Sequence, residues 1–458
     1  MRKNRSPWLH QLRQDRERRA LTVDLATDVA IVGGGIAGVA SAFYTLKYTN
    51  LNVALFERFK LAHGATGHNA GQITSYFERG FASLVEEFGL LKAAQGQKNI
   101  EDAWHLLDEM YTDAGLDIPL SRFTGHAGVS SQEQVLAFLE NNRLRQEAGL
   151  TPETIRIASS ADFVSTIPDI YRGLYMLVSP EDIRDILETT TNDFVATLSY
   201  QKGCTNSALF TEEVMMYLNR VYPERFTLYE HTPIRKLVLK HDYALLDGGK
   251  HEVRARHVVL CTNGFEHIRI LNETGLDIDA KYHHLLSGKI GYMSGYLEKL
   301  NKQPTAISYF TDPSTDPDNS YFYLTRRGYE HEQGVAHNLI SVGGPDVPLE
   351  ETAQYSLEDD FPEEMEEVID RFVHRIYNIE PNKKIEYLFT WHGLMGYTKN
   401  GVRLIGPEPK NPVLLYNLGC NGVGILPSLH GAREIARHLA GEKVEESIFD
   451  VPTHDPRK

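Results

Sequence analysis

The stretch Asp28–Gly38, DVAIVGGGIAG, constrains this chain more than any other. Val29–Val32 is a short apolar run suited to a buried parallel strand, and Ile36–Tyr48 has the pattern of a helix. Gly33, Gly35 and Gly38 join the two as G-x-G-x-x-G. The first glycine permits a tight turn, the second lets a pyrophosphate approach the backbone, and the third brings helix and strand close together. Ile36 and Ala37 open the helix, whose unpaired N–H groups and dipole favour an anion. Alone, such a motif is a weak signal. The second strand, Leu51–Glu57 (LNVALFE), strengthens it by ending in an acid about twenty residues after Gly38, the spacing at which a carboxylate meets ribose hydroxyls. Strand, glycines, helix, strand and acid together predict a Rossmann-like dinucleotide-binding domain with Glu57 on the ribose. Arg58 reads equally well as a contact to the adenosine phosphates or adenine and as a solvated base.

The segment that follows distinguishes between dinucleotides. His63–Tyr76 reads HGATGHNAGQITSY, a second glycine-rich loop directly behind the ribose acid. A plain nicotinamide dehydrogenase has no reason to place one there, whereas a flavin enzyme threads pyrophosphate and ring past the backbone at this point. These residues resemble the D-amino acid oxidase and sarcosine oxidase superfamily of FAD-dependent oxidoreductases. Within it they resemble the gamma-glutamylputrescine oxidoreductase-like group, whose G-A-S-G-R-N-G-G-Q stands where this chain has Gly64-Ala65-Thr66-Gly67-His68-Asn69-Ala70-Gly71-Gln72. The resemblance implies FAD contacts at Gly64, Ala65, Thr66, His68, Asn69, Gly71 and Gln72. It extends to the meander Phe226–Leu260, which ends in Cys261-Thr262-Asn263-Gly264, and implies that Ile234 meets adenine while Thr262 and Asn263 close over the dinucleotide. It is also good over 387–441. There the strand Leu414–Leu418, the turn Gly419–Gly424 and a helix running to Gly441 repeat the opening device. Gly419, Asn421, Gly422, Val423, Gly424 and Ile425 are thereby implied at the flavin's N1–C2=O edge, where negative charge gathers on reduction.

The expected fold class is α/β, α+β overall: a Rossmann-like FAD-binding domain with a mixed-sheet, mainly antiparallel substrate domain. Residues 1–27 form an N-terminal extension. The FAD-binding domain is expected discontinuously over 28–125, 195–282 and 387–458, with a helical insert over 126–194 and the substrate domain over 283–386. Helices are expected at Phe81–Tyr111, Gln132–Ala148, Pro180–Leu198, Asn206–Val221 and Glu364–Ile376. Turns such as Thr311–Asn319 separate the strands of the substrate sheet.

Composition excludes several function classes. A formal charge of −15 argues against general nucleic-acid binding. Three widely spaced cysteines make neither a disulfide framework nor a metal pattern, so a reducing, cytoplasmic setting is expected, and no metal. No apolar run reaches the length of about 18 residues that marks a transmembrane helix. The extension carries Arg2, Lys3, Arg5, Arg13, Arg16, Arg18 and Arg19 without an apolar face for a membrane. It reads as a solvated segment with Trp8 and Leu9 tucked onto the body.

Family members take a hydride from the carbon beside an amine and pass it to flavin N5, and the imine then hydrolyses. The resemblance therefore implies a small amine or amino-acid substrate and O2 or another electron acceptor. Catalytic candidates are Tyr323, Arg326, His392 and Tyr397, with Tyr321 and Trp391 beside them. Arg326 or Lys289 would pair with a substrate carboxylate. Met395-Gly396 precede Tyr397-Thr398 where sarcosine oxidases place a flavin-tethering cysteine, so that tether is not expected. Aligned on its glycines, His68 falls on the tethering histidine of dimethylglycine dehydrogenase-like proteins, which leaves non-covalent FAD and a His68 link as alternatives. The competing functional readings are a non-catalytic flavin-binding subunit and an NAD(P)-dependent dehydrogenase.

Overall fold

The computed structural model describes residues 2–13, 16–263, 268–279, 285–311, 321–332, 334–350, 354–380 and 382–453. Gly264, the turn 312–319 and Ser320 lie outside the described residues. Among those described, the strands form a nine-stranded and a ten-stranded sheet, plus a two-stranded pairing of Arg2–Lys3 with Asp360–Phe361.

The strand Leu25–Val32 lies inside the nine-stranded sheet, parallel to Val53–Phe56 on one side and to Glu252–Leu260 on the other. Successive side chains of a strand point to opposite faces. Val29 and Ile31 accordingly pack into the core shared with the helices, while Ala30 and Val32 enter the core built on the meander strands Lys236–Leu239 and Ala244–Asp247. All four are at most 5% exposed, so a strand buried on both faces reads as an unbroken apolar run. The helix Ile36–Tyr48 lies against the C-terminal helix Ile425–Leu439, which the parallel strand Leu414–Leu418 feeds.

The ten-stranded sheet is mainly antiparallel. Phe389–Thr398, Leu286–Lys299, Val335–Leu349, Tyr321–Glu332 and Thr305–Phe310 run side by side, followed by Ser121–Val129, Ala196–Cys204 and Thr154–Ala158. The helix Glu363–Tyr377 covers part of it, with Phe372 stacked on Phe322 at 4.0 Å.

Three expectations need correction. The segment 126–194 is not a helical insert, because Ser121–Val129, Thr154–Ala158 and Met176–Val178 are strands of the ten-stranded sheet. The expected helix Pro180–Leu198 stops at Ile186. Ser179 and Asp182 box its start, Glu188 turns the chain at φ +49°, and the β-branched, alternating run beyond becomes the strand Ala196–Cys204. Phe389–Thr398 pairs with Leu286–Lys299, and so belongs to the sheet expected of the substrate domain rather than to the dinucleotide sheet. Such pairings join segments far apart in sequence, and no local pattern announces them. In a smaller adjustment, Gly89, at φ +78°, divides Phe81–Phe88 from Leu90–Ala114. No helix among the described residues is long and apolar enough to cross a membrane.

The approach of helix to strand at Gly38 admits no side chain. A Cβ there would stand 1.9 Å from the Gly33 carbonyl oxygen. Overpacking of this kind costs about 1–3 kcal/mol. Gly38→Ala is therefore expected to lower the thermal midpoint by several degrees, whereas Gly328→Ala, where a Cβ meets nothing within 4 Å, leaves it nearly unchanged. Thermal unfolding of the two variants beside the parent checks this.

Candidate active site

A cavity of about 950 Å³ runs from the C-terminal end of Leu25–Val32 to one face of the ten-stranded sheet. At its first end Gly33 turns at φ +113°, where a Cβ would meet the Cys261 carbonyl oxygen at 2.5 Å. Glu57 lies against Gly34. One carboxylate oxygen accepts the Gly34 N–H at 2.8 Å and the other accepts the Phe59 N–H at 2.9 Å. Burial raises the Glu57 carboxyl, and these two donors oppose that rise. Gly35 gives the helix no side-chain cap, so Gly35, Ile36 and Ala37 present a bare helix N-terminus to the cavity; among the described residues, Thr66 Oγ1 accepts the Ile36 N–H at 2.9 Å.

The loop 63–72 is held by Asn69. Its amide donates to the carbonyls of Ala65 at 3.1 Å and Thr66 at 2.8 Å and to Ser207 Oγ at 2.8 Å, while its Oδ1 accepts the Gly71 N–H at 2.7 Å. The N-terminal extension props this loop from behind. Trp8 is 0% exposed, and its indole N–H donates to the Asn69 carbonyl at 2.5 Å; the Trp391 indole N–H reaches the same oxygen at 3.3 Å. The two rings meet edge to face at 6.4 Å, and Arg327 lies over Trp8 at 5.1 Å. Ser6 Oγ donates to the Gly67 carbonyl, and a Cβ on Gly71 would stand 2.7 Å from the Trp8 ring. Arg16 is tied down by Glu230 at 2.6 Å and Glu212 at 3.2 Å. Residues 4–12 and Arg16 thus form a packed strap, more deeply engaged than two tucked residues, while residues 17–20 and 22–24 are exposed, as expected of a solvated segment.

Most of the expected dinucleotide residues meet at this cavity: Gly33, Gly35, Ile36, Ala37, Glu57, Arg58, Gly64, Ala65, Thr66, His68, Asn69, Gln72, Ile234, Thr262 and Asn263, and Gly422 to Ile425 from the C-terminal turn. Gly38 and Gly71 lie behind the surface as close-approach positions. Gly419, at φ +82°, and Asn421, at φ +46°, shape the turn rather than line it, and Asn421 Oδ1 accepts the Thr398 N–H at 2.7 Å. His68 Nδ1 bonds the Gly64 carbonyl at 3.0 Å, which fixes the proton on Nδ1 and leaves Nε2 as the lone-pair nitrogen. Burial lowers its pKa to about 4, so the ring is neutral near pH 7. Thr262 Oγ1 is buried without a hydrogen-bond partner among the described residues. An unpartnered hydroxyl, two uncapped helix N-termini and a glycine cradle fit a large anionic dinucleotide.

At the sheet end, Tyr321, Tyr323, Lys289 and Tyr397 line the cavity; Arg326 and His392 do not. The reason is strand alternation. Tyr321 and Tyr323 point into the cavity, so Arg326, an odd number of positions further on, points away. It forms a bidentate pair with Glu188 at 2.5 and 2.7 Å and donates to the Gln303 carbonyl at 2.8 Å. Gly393, Met395 and Tyr397 line the cavity, so His392 faces the other side, where Tyr355 Oη lies 3.0 Å from Nδ1 and the Asp359 carbonyl 3.0 Å from Nε2. Trp391 is enclosed beneath Trp8. Lys289 is paired with Asp346 at 3.3 Å and lies 4.9 Å from the centre of the Tyr397 ring. Sequence reasoning missed Glu78 and Tyr200. A period-two run Gln72, Thr74, Tyr76, Glu78, all lining the cavity, was the available signal for Glu78.

The profile of the FAD dependent oxidoreductase (DAO) family matches residues 28–438. Two curated relatives match over short stretches. Gamma-glutamylputrescine oxidoreductase from Escherichia coli (strain K12) is 30% identical over 70 residues, 15% of this chain and 16% of that protein. A putative Rieske 2Fe-2S iron-sulfur protein, YhfW, from Bacillus subtilis (strain 168) is 34% identical over 71 residues, 16% of this chain and 14% of that protein. Among solved structures, glycine oxidase from Geobacillus kaustophilus superposes with a TM-score of 0.68 at 16% identity, covering 94% of this chain and 99% of the other. L-proline dehydrogenase from P. horikoshii does so with a TM-score of 0.66 at 14% identity, covering 92% and 95%. These similarities to solved structures establish the shared fold.

The strap generates a prediction. Removing a buried tryptophan costs about 3–5 kcal/mol, and Trp8 bears directly on the loop that carries Thr66, His68 and Asn69. Trp8→Ala is expected to lower the thermal midpoint and to release bound dinucleotide during gel filtration. Trp8→Phe, which keeps the ring but not the N–H, is expected to fall between the two. Cofactor-to-protein absorbance ratios after filtration measure the effect.

Proposed function

The chain belongs to the FAD-dependent oxidoreductase family, and on that premise we propose that it oxidises a carbon–nitrogen bond of a small amine or amino acid. The observation that carries this reading is a single cavity that joins a dinucleotide cradle to an aromatic sheet face bearing Tyr321, Tyr323 and Tyr397. When bound, FAD supplies the two-electron acceptor that converts an amine to an imine, which water hydrolyses.

The chain's own residues divide the remaining work. The turn Gly33–Gly38 and its helix N-terminus would hold the pyrophosphate, and Glu57 the ribose. The turn Gly422–Ile425, which opens the second helix, would meet the far end of the same group. Arg403 stiffens that turn from beneath: its guanidinium donates to Asn417 Oδ1 at 2.5 Å, the Asn417 carbonyl at 2.7 Å and the Gly419 carbonyl at 3.3 Å. The tyrosine face excludes water and orients the substrate carbon. Burial raises the phenols of Tyr321, Tyr323 and Tyr397, so all three stay protonated donors at neutral pH. Orientation and dryness are the contributions such chemistry asks of the protein, and a strong general base is not among them.

Anaerobic mixing with a panel of amines and amino acids tests the proposal: at least one is expected to bleach the flavin absorption, and air then restores the colour if O2 is the acceptor. A protein that retains FAD but is bleached by none of them would be a flavin-binding subunit, and the proposal would fall. The flavin is expected to be non-covalent, so acid precipitation leaves the yellow colour in the supernatant. A yellow pellet that turns white in His68→Ala would instead establish a link at His68.

A further inference from the structure

Charge at the sheet end of the cavity is unevenly matched. Among the cations that line the cavity here, Arg79 has Glu87 at 2.5 Å, Arg145 has Glu101 at 2.7 Å and Lys289 has Asp346 at 3.3 Å, while Arg403 spends its guanidinium on Asn417 and the Gly419 carbonyl. Lys202 is 0% exposed behind this wall, its Nζ donating to Gln72 Oε1 and Ser308 Oγ at 3.2 Å each, and it does not reach the cavity surface. Glu78 is the converse. It is open to the cavity, and its one hydrogen bond is from the Tyr397 hydroxyl at 3.2 Å; among the described residues no cation pairs with it. A Cβ on Gly422 would stand 1.7 Å from Glu78 Oε1, so this carboxylate sits against the glycine turn that opens the C-terminal helix. Aromatic rings line the same cavity: Tyr321 and Tyr323 pack at 5.6 Å, Phe310 lies 4.9 Å from Tyr321, and Tyr76 meets Tyr200 at 5.2 Å.

We infer that Glu78 is the specificity-determining residue of this site, and that the substrate is an alkylamine that enters as an ammonium cation and carries no carboxylate beside its nitrogen. The inference rests on the amine-oxidising reading of the cavity and narrows its substrate. An unpaired carboxylate among tyrosine rings is what an ammonium group seeks, through a charge-assisted hydrogen bond and the ring faces. An amino acid would bring a carboxylate to a wall where Arg79, Arg145 and Lys289 are already paired and Arg403 is turned onto Asn417 and Gly419, facing a carboxylate of like charge. Arg326, the residue best suited to hold such a carboxylate, is clasped by Glu188 on the opposite face of its strand.

The titration of Glu78 supplies an independent signature. Its surroundings include the cation Lys289, the anion Asp346, the thiol of Cys420 and the phenols of Tyr76, Tyr321, Tyr323 and Tyr397. Loss of hydration dominates and pushes its carboxyl up to about 7. A cation binds the ionised form, so cation affinity rises as pH increases from 6 to 8.

The test uses the FAD-loaded protein and two quaternary probes with no nitrogen lone pair, read by calorimetry and by flavin difference spectra. Butyltrimethylammonium is expected to bind, and glycine betaine, the same head group with a carboxylate, to bind at least about tenfold more weakly. Glu78→Gln is expected to weaken the cation about ten- to hundredfold and to flatten its pH dependence. Glu78→Asp keeps the rise with pH. Equal or tighter binding of glycine betaine, no binding of the cation, or a Glu78→Gln protein that binds and titrates like the parent overturns the inference. Should Glu78→Gln fail to fold, the probe pair and the pH profile of the parent and Glu78→Asp decide. Because the probes bind without turnover, failure of amine oxidation would appear separately, as a flavin that no amine bleaches.

Discussion

The contact between the strand Leu25–Val32 and the helix Ile36–Tyr48 sets the position of everything else. At Gly38 the helix comes so near the Gly33 carbonyl that a single methyl group has no room. This closeness aims the uncapped helix N-terminus at the end of the strand. Glu57, just past the end of the neighbouring strand Val53–Phe56, is then brought to the Gly34 N–H at 2.8 Å. The turn, the acid and the helix end form one rigid piece, and the large cavity opens from it.

Two further devices complete the site, and both work through the backbone. The Asn69 side chain ties the loop 63–72 to itself and to the helix Ser207–Val221, while the Asn69 carbonyl receives indole N–H groups from Trp8 and Trp391. At the far end, Asn263 joins the two sheets: its Nδ2 donates to the Leu394 carbonyl at 3.2 Å and its Oδ1 accepts the Cys420 N–H at 3.1 Å. Gly396 leaves room for that junction, since a Cβ there would stand 1.7 Å from the Asn263 carbonyl oxygen. The loop, the C-terminal turn and the sheet face are thus fixed relative to the cradle by hydrogen bonds to main-chain atoms.

The cradle was legible in the sequence because its chemistry is local. Glycine positions, a helix start and an acid at a set spacing all lie within one strand–helix–strand unit, and the helix falls over Ile36–Tyr48 as expected. The sheet end was less legible. Tyr321, Tyr323 and Tyr397 line the cavity while Arg326 and His392 turn away, because a one-residue change of position along a strand reverses the face. Without one anchored residue the two faces cannot be told apart. The pairing of Phe389–Thr398 with Leu286–Lys299 and the burial of Trp8 against Asn69 join distant parts of the chain. Neither leaves a periodic trace. Glu78 lay just beyond the recognisable loop, in an alternating run that gains meaning only once Gln72 is known to face inward.

On this reading Gly33–Gly38 and Glu57 would hold the adenosine diphosphate half of FAD. Titration of the apoprotein with FAD, FMN and NAD+, followed by quenching of flavin or tryptophan fluorescence, tests it most directly. Saturation is expected at one FAD per chain, with much weaker binding of FMN and NAD+ and an FAD affinity lowered about ten- to hundredfold in Glu57→Gln. Equal affinity for NAD+, or an FAD affinity indifferent to Glu57→Gln, would contradict it.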